Sequence, residues 1–204
     1  MKPFIINVGR QLGAGGRQVG RLLAEKFGLA YYDHEILAMA AKESGYCEEV
    51  FRQKDERKHF LSQGIRLQSP FSHINAFYHN SLSEDELFLF QSEAIRKAAQ
   101  DGNCIFIGRA ADYVLRDFDN CLNIFLTADL DDRIRTIMNR ADVDEKAAAG
   151  LLRKGDAQRA QFYNFYTGKT WGDAATYDLC LNTSRLGIEG SAELIAQYIR
   201  QRFA

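Results

Sequence analysis

The chain has 204 residues, 46% hydrophobic and 26% charged, with a formal net charge of −1. This ordinary globular composition allows a sizeable core, and the balanced charge calls for neither nucleic acid nor an anionic membrane as partner. No apolar run approaches the ~18 residues of a membrane span, and Met1-Lys2-Pro3 leads into a strand pattern without the features of a signal peptide.

The first element pattern sets the theme. Phe4 to Val8 is a short apolar run that ends at Gly9, and a glycine-rich loop follows. Val19, Leu22, Leu23, Ala24 and Phe27 then recur at helical spacing, so the order is strand, loop, helix. Such a loop aims backbone N–H groups and a helix N-terminus at one spot, which favours a bound phosphate. Gly13, Ala14, Gly15, Gly16, Arg17 and Gln18 are the candidate phosphate-binding residues. The dinucleotide fingerprint fits poorly, because Gly20 comes one residue late. The nucleoside-triphosphate loop fits better, yet Gly9 to Gly15 is one residue too long, and Gly16 or Arg17 stands where its lysine belongs. No Ser or Thr follows to hold magnesium.

Phe27-Gly28 marks a helix end. Leu29 to Tyr32 is a second strand ending at Asp33, and His34 to Ser44 reads as a helix stopped by Gly45. A charged helical stretch runs from Tyr46 to Leu61; residues 62–83 mix polar and aromatic side chains and are read as a lid or partner surface. Ser83 and Glu86 form a capping box for a helix to about Asp101, with Leu87, Phe90, Ala94, Ile95 and Ala98 inward. Cys104 to Ile107 is a buried parallel strand followed by Gly108-Arg109. Leu122 to Leu126 is the fourth strand. Helices are expected at Leu130–Asn139, Asp144–Lys154 and Asp156–Tyr166. Tyr177 to Asn182 is the last strand, and Glu189 to Arg202 is a helix burying Leu194, Ile195, Tyr198 and Ile199. Alternating strands and helices predict an α/β fold with a five-stranded parallel sheet. Ligands in such sheets bind beyond the C-terminal strand edges.

Four cysteines, Cys47, Cys104, Cys121 and Cys180, stand apart with no C-x-x-C pair, which argues against a metal site. Cys104, Cys121 and Cys180 fall in expected buried strands as small hydrophobes. A reducing, cytoplasmic compartment is expected.

Several segments resemble the cytidylate kinase-like family of P-loop proteins, relatives of nucleoside monophosphate kinases. They are Gly9 to Arg17, Tyr31-Tyr32-Asp33, Ile107 to Tyr113, Phe162 to Gly172, and Tyr177 to Thr183. The resemblance covers most of the chain and is weakest at about 46–83. It implies a single P-loop NTPase domain with a helical acceptor-binding insertion at about 46–83 and a lid-like region at about 144–172. It also implies ATP and Mg2+ as cofactors and a small-molecule nucleotide as partner. Three departures stand out: the lysine-bearing loop is absent, Ile107 replaces an Asp, and Asp156-x-x-Arg159 keeps part of an R-D-x-x-R lid motif, with Lys154 covering for the first Arg.

On this basis Arg17, Arg109, Arg159 and Asp156 are candidate catalytic residues, and Lys154 joins the loop residues as cofactor-binding. Arg17 substitutes for the missing lysine, since guanidinium grips phosphate in a fork. Arg10, Asp33, Arg109 and Asp112 are candidate acceptor-binding residues. Arg10 has an equal structural reading at the loop entrance. Asp33 holds the acceptor or magnesium, or caps the next helix. Asp112 orients Arg109 instead of binding metal. Tyr163, Tyr166 and Trp171 read as packing residues. The aromatic surplus at 71–90 and 162–166 suggests a homodimer. A kinase-like phosphoryl transferase is expected; the altered loop keeps open a second reading, a non-catalytic nucleotide or phosphoanion sensor.

Overall fold

The computed structural model describes residues 2–33, 84–100 and 102–204. The expected helix at 34–44, the stretch 46–83 and the Ser83 cap lie outside the described residues. The strands are β1 (Ile5–Arg10), β2 (Ala30–Tyr32), β3 (Cys104–Ile107), β4 (Cys121–Thr127) and β5 (Leu179–Asn182). The helices are α1 (Gly16–Phe27), α2 (Glu84–Ala99), α3 (Ala111–Val114), α4 (Leu130–Ala141), α5 (Glu145–Thr167) and α6 (Gly187–Arg202), with a short 3-10 turn at Ala174–Thr176.

Among the described residues all strand pairs are parallel, in the order β2-β3-β1-β4-β5. This is the five-stranded parallel sheet that the alternation of strands and helices predicts. The central β1 pairs Ile6 with Ile105 on one side and with Leu122 on the other. Alternation along β1 feeds two cores. Ile6 and Val8 pack with Val19 and Leu23 of α1 and with Ile195 and Ile199 of α6. Ile5 faces the opposite layer, with Phe106, Ile95 and Ala99 of α2, and Val114 of α3. A third cluster joins Leu12, Ile134, Ile137, Ala148 and Leu152, so a loop side chain is seated between α4 and α5. Each such fully buried aliphatic contributes about 1.5–3 kcal/mol.

Several expectations shift. The two helices expected at 144–166 are one, capped by Asp144, whose carboxylate accepts from the Ala147 N–H at 2.7 Å. Gly155 does not break it; a Cβ there would lie 2.7 Å from Leu12 Cδ2, so the glycine lets the loop approach the helix. Cys180 is exposed. It sits on the edge strand β5, where Leu179 and Leu181 take the core face and Cys180 points away. The last strand starts at Leu179, after the 3-10 turn. On α6 the buried face is Ala192, Ile195, Ala196 and Ile199, leaving Leu194 39% exposed. On α2 it is Gln91, Ser92, Ile95 and Ala99, so Leu87 and Phe90 are only half-buried. Among the described residues, no helix is long and apolar enough to cross a membrane.

Candidate active site

The loop between β1 and α1 is held from three sides. Gln11 N–H donates to Leu126 O at 3.0 Å, tying the loop entrance to β4. Leu12 is gripped at both peptide groups: its N–H donates to Asp156 Oδ1 at 2.7 Å, and its carbonyl accepts from Arg133 Nε at 2.8 Å. Arg133 and Asp156 are themselves ion-paired. Thr183 Oγ1 donates toward the Ala14 carbonyl at 3.2 Å. Gly15 caps α1 at φ 72°, in the left-handed region that favours glycine, and makes no side-chain cap bond. The first-turn N–H groups of a helix have no intrahelical partner, so this end suits an anion.

A second turn closes the same edge of the sheet. Gly108, Arg109 and Ala110, just after β3, take φ values of 75°, 64° and 51°. A left-handed conformation costs about 1–2 kcal/mol for a residue with a Cβ, so Arg109 and Ala110 are strained together. Such strain concentrates at functional sites. Arg10 lies across Gly108: a Cβ there would sit 1.8 Å from Arg10 Nη1. The turn aims Arg109 at α5, with its guanidinium carbon 5.6 Å from the Phe162 ring centre.

Arg10, Arg17, Arg109 and Arg159 all line one cavity that opens over the loop. Arg159 Nη1 donates to the Arg10 carbonyl at 3.3 Å. Burial, then the charges of Arg159, Arg109 and Arg17, push the Arg10 guanidinium down to about 9. Burial and Arg159 push Arg109 down to about 10. Depression of groups that ordinarily never lose their proton records desolvation plus mutual repulsion, and a bound polyanion relieves both. Arg17 also pairs with Asp33 at 3.7 Å.

The helical phase of α5 decides which of its residues face the cavity. Gly155, Gln158, Arg159, Phe162, Tyr163 and Tyr166 line it. Lys154 falls off that face and is exposed outside the lining. Asp156 is committed to Leu12 and Arg133, so its place is behind the loop. Asp33 is buried behind Arg17. Gly13, Ala14, Gly15, Gly16, Gln18 and Asp112 line the cavity.

Asp112 accepts a 2.6 Å hydrogen bond from the Tyr163 hydroxyl. Burial pushes the Asp112 carboxyl up, against that hydrogen bond. Burial, then Asp112, push the Tyr163 hydroxyl up. Tyr163 thus holds a site carboxylate as well as packing. Phe88 stacks on Tyr166 at 4.0 Å between ring centres and meets Phe162 edge-on at 5.8 Å, so these aromatics pack within the chain. Nothing in the sequence marks Arg133 or Gln91 as a site residue. Arg133 reads as one more helix cation, and Gln91 carries no motif. Among the described residues, no group of three His, Cys, Asp or Glu side chains offers a metal cage.

The cytidylate kinase-like family model matches residues 5–185. The chain belongs to the cytidylate kinase-like family. It is 26% identical to a cytidylate kinase of Methanococcus vannielii over 203 residues, spanning 97% of this chain and 100% of that one. It is 24% identical to a cytidylate kinase of Pyrococcus horikoshii over 189 residues, covering 92% and 83% of the two chains. Among solved structures, an uncharacterized protein from Eubacterium ventriosum aligns with a TM-score of 0.73 and 27% identity, over 97% of this chain and 98% of that one. A shikimate kinase from Bacteroides thetaiotaomicron aligns with a TM-score of 0.53 and 14% identity over 97% and 98%, a likeness of fold alone. In this family member the lysine of the standard loop is absent, and arginines from four different elements surround the loop instead.

Proposed function

We propose that this chain is an ATP-dependent kinase that transfers a phosphoryl group to a nucleoside monophosphate or similar small acceptor. The observation that carries this reading is the convergence of Arg10, Arg17, Arg109 and Arg159 on one cavity above the glycine loop. Phosphoryl transfer is mostly positioning plus stabilisation of charge on the transferring group, and this site is built from fixed donors and cations. Backbone N–H groups of the loop and the start of α1 hold the donor phosphates. Arg17, on the first turn of α1, takes the lysine's part with a forked guanidinium. Arg10 and Arg109 face the acceptor's phosphate, and Arg159 reaches over from α5. Asp156 and Arg133 set the loop's shape. Asp112, held by Tyr163, orients the acceptor side near Arg109.

The donor set fits Mg2+ as an ion carried by the nucleotide's own phosphates, because the loop supplies no hydroxyl at the start of α1 and no carboxylate cage lies among the described residues. When bound, the ion would neutralise phosphate charge.

The missing lysine and hydroxyl favour a second reading, a non-catalytic sensor of nucleotide or phosphoanion. A coupled ADP-release assay over the common nucleoside monophosphates and small phosphoacceptors separates the two. Turnover that falls about 10²–10³-fold in Arg17→Ala, at retained ATP binding, supports the kinase. Tight ATP binding with no turnover on any acceptor supports the sensor.

A further inference from the structure

We propose that Gln91 is the specificity-determining donor that reads the heterocyclic ring of a nucleoside monophosphate acceptor. The proposal rests on the kinase reading above and deepens it. Gln91 sits in the middle of α2 and is 1% exposed. Its neighbours on that helix face, Phe88 and Ile95, belong to the apolar layer that includes Phe106 and Ala111. An amide in such surroundings is costly unless it is hydrogen-bonded. Ser92, the other buried polar residue on α2, is satisfied within the helix, donating to the Phe88 carbonyl at 2.8 Å. Gln91 Nε2 has no hydrogen-bond partner among the described residues, although Gln91 lines the same cavity as Arg109 and Asp112.

Gln91 lines the cavity and its buried amide donor is unpaired, so an acceptor atom on a bound ligand would satisfy it. The adjoining wall says what kind. Phe88, stacked on Tyr166, and Phe162, with the Arg109 guanidinium over its ring, line the same cavity as Gln91. Such a wall suits a planar heterocycle. Arg109, on the strained turn, supplies the cation for the phosphate on the same molecule. The Gln91 amide then donates to a carbonyl oxygen or unprotonated ring nitrogen of the base. A hydrogen-bonding site of this kind discriminates strongly, because a ring that lacks the acceptor leaves the buried amide unpaired.

The test uses the full chain with Gln91→Leu and Gln91→Met, which keep the volume and remove the amide. Steady-state kinetics with each nucleoside monophosphate should show kcat/KM for the preferred acceptor reduced about 10- to 100-fold, with the change in the acceptor's KM. The KM for ATP should stay at the wild-type value, and thermal stability should equal or exceed the wild type, since an orphaned donor is gone. Unchanged acceptor KM and unchanged base preference in the folded variants would overturn the proposal. So would failure of both variants to fold, which would mark the amide as structural. So would a preferred acceptor that carries no heterocycle. If the wild type turns over no acceptor, the kinase reading fails by itself, and calorimetric titration of the nucleoside monophosphates decides on Gln91. Binding that weakens in both variants supports the proposal; equal binding, or none to the wild type, overturns it.

Discussion

Asp156 accepts the Leu12 N–H at 2.7 Å, while Arg133, paired to that same carboxylate, donates to the Leu12 carbonyl at 2.8 Å. One ion pair, carried by α4 and α5, therefore fixes both peptide groups of a residue in the glycine-rich loop. The Leu12 side chain is seated in the core between those helices. The loop's shape depends on α4 and α5.

Asp156→Ala removes the loop's acceptor and leaves the Arg133 charge, only 7% exposed, without its carboxylate. Breaking such a pair costs about 3 kcal/mol, a fall in Tm of about 6–12 °C for a chain of this size. Asp156→Asn keeps an oxygen for the Leu12 N–H and should lose less. Calorimetry that finds the two variants equal to the wild type would remove the clamp from the account of the loop.

The arginine cluster predicts stabilisation by polyanions. Pyrophosphate or ATP at 100 times its dissociation constant should add about 2.7 kcal/mol. The gain should shrink in Arg109→Met and Arg10→Gln, and it should weaken with added salt as exposed charges are screened. A Tm series against pyrophosphate at two ionic strengths reads all three. An unchanged Tm at millimolar pyrophosphate and ATP in the wild type would contradict an anion site here.

Gly108→Ala tests the close approach of Arg10. A Cβ at this position would strike Arg10 Nη1, 1.8 Å away, and would add a side chain at φ 75°. Arg10 must swing aside while every arginine is retained. Weaker acceptor binding, read as a raised KM, is the expected outcome, with a stability loss of about 1 kcal/mol or more from the left-handed backbone. An acceptor KM equal to the wild type's would mean that Arg10's position is immaterial.

Asp112 predicts a pH signature. Its carboxyl is raised by burial, so in the folded chain it keeps its proton to higher pH than in the unfolded chain, whose value is about 3.9. The native state binds more protons in that window, and stability from this group falls as pH rises from the unfolded value through the folded one. It is fully present below that window. Asp112→Asn keeps an acceptor for Tyr163 and should lack this decline. Parallel Tm profiles from acid to neutral pH in the two proteins would argue against a raised Asp112.

Much of the architecture was legible because it rests on local pattern. The apolar run at Cys104–Ile107 reads as a doubly covered strand and is one, with all four residues buried. The glycines at 13 and 15 read as a phosphate turn, and both take left-handed φ values. Helix phase was harder. Gly155 looks like a break until Leu12 is seen against it, and Leu194 looks like a core residue until α6 presents Ala192 and Ala196 instead. Cys180 is exposed because β5 is an edge strand, a fact of sheet order. Lys154 and Asp156 stand out only through a motif resemblance, whereas a continuous helix turns one away from the cavity and sets the other against Leu12. Arg133 and Gln91 acquire meaning only from what the fold places beside them, across gaps that no short motif spans.

The most direct test of the proposed activity follows the γ-phosphoryl group itself. Wild-type protein is incubated with γ-labelled ATP, Mg2+ and each nucleoside monophosphate, and the labelled products are separated. Transfer of label to one nucleoside monophosphate, giving its diphosphate, is the predicted result, with the rate lost in Arg17→Ala and Arg109→Met. Label that remains in ATP, or passes only to water, for every acceptor while ATP binds tightly would contradict phosphoryl transfer at the arginine-lined loop.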